Sequence, residues 1–219
     1  MHNLYSFITG PLAFFSVAVF FGGILIKISR LIFLVYQKER FLFSYISLRY
    51  SVRSLLHWMT PFATKNMRQH PYVTIVTFIF HICIFLVPIF LLSHIILLEE
   101  ALSISWRALP DTIADIMTVL VIGASIFFLI RRIISPEVRY LTSLSDFFLL
   151  ALAVTPFLTG FYAFHQWPGY SYALIIHILS GELLLIAIPF TRLSHMILAV
   201  FTRIHTGSEF GGVRHAKDW

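Results

Sequence analysis

Five ionisable side chains stand inside the most apolar stretches of this 219-residue chain: His81, His94, His177, His195 and Glu182. Such groups are costly in hydrocarbon, so those that are present are candidates for function. Two imidazoles from facing helices are what a six-coordinate b-type heme needs, because the porphyrin fills four in-plane positions and leaves two axial ones. Four histidines would serve two hemes. The single cysteine, Cys83, lies inside an apolar run, so neither a disulfide framework nor a thiolate metal cage is available. No Ser, Cys and His combination carries a catalytic motif, and Cys83 has no evident activating neighbour, so a nucleophilic site is not supported.

The elements that must position these residues are membrane helices. The chain is 58% apolar and 12% charged with a mean hydropathy of +0.86, where a soluble domain has roughly 45–50% and about 25%. Five stretches are long and apolar enough to cross about 30 Å of hydrocarbon: helices at about 4–30, 72–98, 112–133, 146–164 and 170–203. Together they read as one all-α membrane domain over 1–219. The first run lacks a basic lead, is too long for a signal-peptide core and is followed by basic residues, so it reads as a mature helix. Lys27, Arg30, Lys38, Arg40, Arg49, Arg53, Lys65 and Arg68 follow span one; Arg131, Arg132 and Arg139 follow span three; Arg192, Arg203, Arg214 and Lys217 end or follow span five. Arg107 is the basic residue left for the other side. The positive-inside rule then puts the N-terminus outside and the C-terminus in the cytoplasm, in agreement with an odd number of spans. The net charge of +6 is therefore a topology signal, not a nucleic-acid footprint. The basic segment at about 38–70 mixes aromatics and aliphatics with Arg49 and Arg53; it reads as an interfacial amphipathic helix or, more sharply, as a dock for a cytoplasmic subunit. No solenoid-period repeat and no inverted pair of broken helices is visible, which counts against a repeat-built transporter.

Helical geometry pairs the histidines. His177 and His195 are 18 residues apart, five full turns, so on one continuous helix they share a face roughly 27 Å apart. Span two runs in the opposite direction, which sets His81 at the depth of His195 and His94 at that of His177. His81 and His94 are 13 residues apart, about 220° around a straight helix, so Pro88 between them must re-aim the upper half if both are ligands. His165, at the outer end of span four, competes with His94 as the outer ligand. Gly181, one turn after His177, reads either as a place where a porphyrin lies against backbone or as close helix packing. Arg192, three residues before His195, reads as a partner for heme propionates or as a side chain reaching the interface.

Certain of these residues resemble a known family. His177-Ile-Leu-Ser-Gly181 followed by Pro189-Phe190-Thr191-Arg192-Leu193-Ser194-His195 resembles the last helix of the respiratory nitrate reductase gamma-subunit family of diheme cytochromes b. Phe80-His81-Ile82, and Arg131-Arg132, Ser135-Pro136, Val138-Arg139, Thr142 and Asp146, resemble its second helix and the stretch joining its third and fourth. The resemblance implies a five-helix subunit, N-terminus outside and C-terminus cytoplasmic, with heme b held between helices two and five: His81 and His195 on the inner heme, His177 on one side of the outer one. The family's second histidine on span two lies ten residues after the first, where this chain has Leu91; His94 is one turn further on. The long basic segment looks more like the cytochrome b members of transmembrane redox complexes of sulfate-reducing anaerobes. Those pair such a subunit with a periplasmic multiheme cytochrome c and a cytoplasmic heterodisulfide-reductase-like iron–sulfur protein, beside other membrane subunits.

The expectation is thus an electron-transfer subunit of the bacterial inner membrane with two heme b groups, passing electrons between a periplasmic cytochrome or menaquinone and a cytoplasmic partner. In a quinone-reactive variant, akin to a nitrate-reductase-type quinol oxidase, Glu182 accepts a proton and Arg107 meets a quinone carbonyl or a partner cytochrome; the competing readings are an acid facing a polar gap or a neighbouring subunit for Glu182 and a solvated surface residue for Arg107. Two other classes stand beside it: a proton-coupled transporter whose His and Glu form a relay, and a non-redox membrane anchor.

Overall fold

A computed structural model describes residues 2–219 of the chain and is all-helical, with no strand among the described residues. Five helices are long and apolar enough to cross a membrane: Asn3–Lys38, Pro71–Phe90, Asp111–Ile134, Leu144–Phe164 and Tyr170–Phe190. Between 11% and 28% of the most apolar window of each is buried within the protein. Most of their apolar surface therefore points outward, which is stable against lipid and not against water. The chain is a multi-pass membrane protein in contact with lipid.

The chain gathers into two compact units. The first comprises Met1–Thr74 and Glu182–Trp219. Its long helix α1, Ala13–Lys38, is preceded by a π-helical turn, Ile8–Leu12, that absorbs Pro11, since a proline cannot donate to the helical ladder. Span one runs on to Lys38 instead of ending near residue 30. The basic segment then forms α2, Leu48–Met59, whose polarity is inverted. Ser51 and Ser54 are buried, while Leu48 and Leu56 are 79% and 61% exposed. The serine face packs on a later helix of this unit, His195–Ser208. There Ser51 Oγ donates to Ile204 O at 3.1 Å and lies 3.0 Å from Ser208 Oγ. Ser54 Oγ donates to Asp218, which Arg203 also approaches at 3.4 Å.

Small residues with hydroxyls at the contact are how helices associate where apolar surface gives no advantage. A Cβ on Gly207 would stand 2.6 Å from Ser54 Cβ and 2.7 Å from Tyr50 O, so both neighbours would have to move. Gly207→Val is expected to destabilise the protein by about 1–3 kcal/mol through overpacking. A melting curve of the detergent-solubilised protein checks this; an unchanged Tm would show that the pair does not hold this unit together.

The second unit, Ile75–Gly181, contains most of α3, Pro71–Phe90, then α4, Leu92–Leu102, α5, Asp111–Ile134, α6, Leu144–Phe164, and the first part of α7, Tyr170–Phe190. Cys83 and Val87 of α3, Val121 of α5 and Phe157 of α6 form its buried core, and Phe80 meets Phe128 edge to face at 5.3 Å. The stretch joining spans three and four is held by Asp146: its carboxylate takes Ser143 N–H and Ser143 Oγ, both at 2.8 Å, capping α6, and Arg132 stands 3.9 Å away.

Two expected helices are broken. The helix at 72–98 ends at Phe90, because Leu91 is extended, and resumes as α4. The helix at 170–203 ends at Phe190; Thr191 is extended, a single 3-10 turn follows at Arg192–Ser194, and α8, His195–Ser208, begins afresh. The five-turn count from His177 to His195 presumed one continuous helix, so it does not apply. His177 belongs to the second unit and His195 to the first.

Candidate histidine sites

The break at Leu91 decides where His94 goes. When a helix stops, its last carbonyls lose the amides that would have followed. Here each finds another donor: Pro88 O takes His94 Nδ1 at 2.9 Å, Ile89 O takes Trp106 Nε1 at 2.9 Å, and Phe90 O takes Leu109 N at 2.9 Å. The residues after α4 therefore return to the end of α3 and close over it. His94, which a straight helix would carry about 220° away from His81, is instead aimed by a bond to the proline turn below it.

His177, on α7, is its counterpart. The two rings lie 5.8 Å apart, centroid to centroid, with planes 16° from parallel. These two rings, brought together from α4 and α7, would be the pair to hold a planar group that brings its own equatorial ligands. His177 Nδ1 donates to Pro156 O of α6 at 2.8 Å. Its ring reaches that carbonyl because residue 160 is glycine: a Cβ there would stand 2.8 Å from both Cε1 and Nδ1 of His177.

The other two histidines repeat the pattern, each within its own unit. His81 Nδ1 faces Thr77 O at 2.7 Å, and His195 Nδ1 faces Arg192 O at 2.8 Å. A ring nitrogen facing a carbonyl must be the donor, and in neutral imidazole this leaves Nε2 with the lone pair. Bonding Nδ1 to a backbone carbonyl is how proteins fix the tautomer and orientation of a metal-binding histidine. All four carry it. Among the described residues no three His, Cys, Asp or Glu side chains gather into a metal cage; what is present suits a group that brings its own equatorial ligands.

The remaining sequence candidates lie elsewhere. His165 Nε2 faces Asp115 Oδ2 at 3.5 Å, and its ring stacks on Phe161 at 4.3 Å. That nitrogen is engaged with a carboxylate. Gly181 has nothing within 4 Å of where a Cβ would stand, so it is not a packing glycine among these residues. Glu182 is 7% exposed with neither carboxylate oxygen partnered. Arg192 is exposed at the turn before α8, and Arg107 is exposed beside Trp106. An apolar pocket of about 530 Å³ opens in the second unit between Ile122, Leu158, Phe161, Tyr162, Trp167 and Ile176, adjoining the residue before His177. Sequence reasoning missed Gly160, Pro156 and Trp106. Only the proline-to-glycine spacing of four in span four, one helical turn, could have flagged the first two.

Fold and site together define an all-helical, multi-pass membrane protein with two near-parallel imidazole rings 5.8 Å apart within one unit. It is 41% identical over 211 residues to a protein of Nitratidesulfovibrio vulgaris strain Hildenborough, covering 94% of this chain and 93% of that one. The chain belongs to the same family as that protein, whose name, "Protein", states no activity. No family profile and no solved structure matches the chain.

Proposed function

We propose that this chain is a diheme b-type cytochrome subunit of the bacterial inner membrane, carrying electrons across the bilayer between a periplasmic multiheme cytochrome c or menaquinone and a cytoplasmic iron–sulfur subunit. The observation that carries this reading is the shared bond from Nδ1 to a backbone carbonyl at His81, His94, His177 and His195, which favours in each ring the tautomer with its lone pair on Nε2, the form that ligates a metal. His94 and His177 would hold the outer heme, with open space at Gly181 for a flat ring system; the resemblance to the diheme family assigns the inner heme to His81 and His195, with Arg192 as the propionate partner. Heme b bound there supplies a one-electron iron couple. The protein's part is to fix ring orientation and to exclude water. The loop charges support an outside N-terminus and a cytoplasmic C-terminus.

An open apolar groove lined by Ile176, Phe161 and Trp167 suits in its chemistry the apolar tail of a quinone, as the quinone-reactive form requires. The buried, unpartnered carboxylate of Glu182 favours a second reading, a proton-coupled transporter. One experiment separates them: a dithionite-reduced minus oxidised spectrum with a heme-to-protein ratio on the purified chain. Two b hemes per chain are expected. Absence of heme, with proton flux lost in Glu182→Gln, would overturn the cytochrome reading in favour of the transporter.

A further inference from the structure

Lys27 reads from sequence as one more positive charge after span one. In the structure it is half-buried within the first unit, and its ammonium donates to Pro189 O at 3.0 Å and to Ser194 Oγ at 2.7 Å. Both acceptors exist because of the break between α7 and α8. In an unbroken helix Pro189 O would take Leu193 N; here Leu193 N turns to Thr191 Oγ1 at 3.3 Å, and the carbonyl is left to the lysine. Ser194 Oγ is buried and passes its own proton to Thr191 O at 2.8 Å. The lysine thus reaches both sides of the break, and the residue after Ser194 is His195.

The approach of α1 to this point is also built in. Gly23, one turn before Lys27, lies against Pro189: a Cβ there would stand 2.7 Å from Pro189 Cβ and 2.8 Å from Cγ. A cation on a membrane helix, brought to an orphaned carbonyl by a glycine contact, is more than a topology signal.

We propose that Lys27 is the positioning residue for His195, pinning the α7–α8 break in the single arrangement that sets the His195 ring at the head of α8. The inference rests on the reading in which His195 is an inner-heme ligand. Lysine offers three donors on a flexible stem, and two of them here bridge the carbonyl before the break to the hydroxyl after it. Removing the ammonium leaves Pro189 O unpaired and frees Ser194, so the turn carrying His195 can take other conformations.

The test uses the full chain in detergent and compares wild type with Lys27→Met, Lys27→Arg and Ser194→Ala. The readouts are the heme count and the low-spin ferric electron paramagnetic resonance spectrum, which reports the relative orientation of the two imidazole planes on each iron. The inner-heme signal is the one that His195→Ala abolishes. Lys27→Met is expected to shift or split that signal and leave the outer one in place, with Lys27→Arg restoring much of the original. Loss of charge alone moves a reduction potential but not this ring-orientation signal. Ser194→Ala keeps the charge and removes one acceptor, so it is expected to perturb the same signal and decides the matter if Lys27→Met fails to fold. An inner-heme signal unchanged in Ser194→Ala, and in Lys27→Met if that variant folds, overturns the role of Lys27. A wild type without low-spin b heme overturns the cytochrome reading itself.

Discussion

On the proposed diheme reading, His177→Ala is expected to remove one b-type heme and leave the second, and His94→Ala to remove that same one. The two rings lie 5.8 Å apart within one unit, and each is aimed by a carbonyl that a proline supplies, Pro156 for one and Pro88 for the other. Deleting either ring removes one of the two side chains that would hold this group, so the heme-to-protein ratio should fall from two to one in both variants and stay at one in the double variant. His165→Ala serves as the contrast: its Nε2 faces Asp115 and its ring lies on Phe161, and both hemes should remain. Loss of heme in His165→Ala with retention in His94→Ala would transfer the outer ligand to the end of span four.

Gly160→Val is expected to do nearly as much harm without touching a ligand. A Cβ at this position would overlap the His177 ring, 2.8 Å from two of its atoms, and the ring cannot stay bonded to Pro156 O while moving aside. Loss of such an orienting partner weakens metal binding by about 10–100-fold. The outer heme should become substoichiometric on purification while the inner one is kept. Gly123→Ala is the control, with nothing within 4 Å of the new methyl, and should leave heme content unchanged. Equal heme retention in Gly160→Val and Gly123→Ala would mean that the His177 ring is not held where Gly160 places it.

The spans were legible because a charge-free apolar run of about 20 residues has few other structures open to it. The histidines were legible as a set for a related reason, their cost in hydrocarbon. Their geometry was not. Counting 100° per residue put His94 on the far side from His81, and the count fails because Leu91 leaves the helix. That break depends on donors at Trp106 and Leu109, which no local pattern near Leu91 announces. Similarly, the five-turn register from His177 to His195 fails at Thr191, where Lys27, 164 residues earlier in the chain, occupies the carbonyl end. Of the glycines, Gly181 drew attention through its nearness in sequence to His177, while Gly160, on another helix, is the one the ring touches. Contacts between helices carry this information, and single-helix periodicity does not contain it.

The three carbonyls at the end of α3 bind three donors of different kinds: an imidazole, an indole and a loop amide. Because the donors share one helix end, none can leave without exposing a polar group to its neighbours. Opening of the loop at Trp106 and release of the His94 ring therefore belong to a single cooperative step of local unfolding. Anything that steadies the ring is then expected to slow exchange of the loop's amide protons with solvent, so that the loop reports, at a distance, on whether its histidine is engaged.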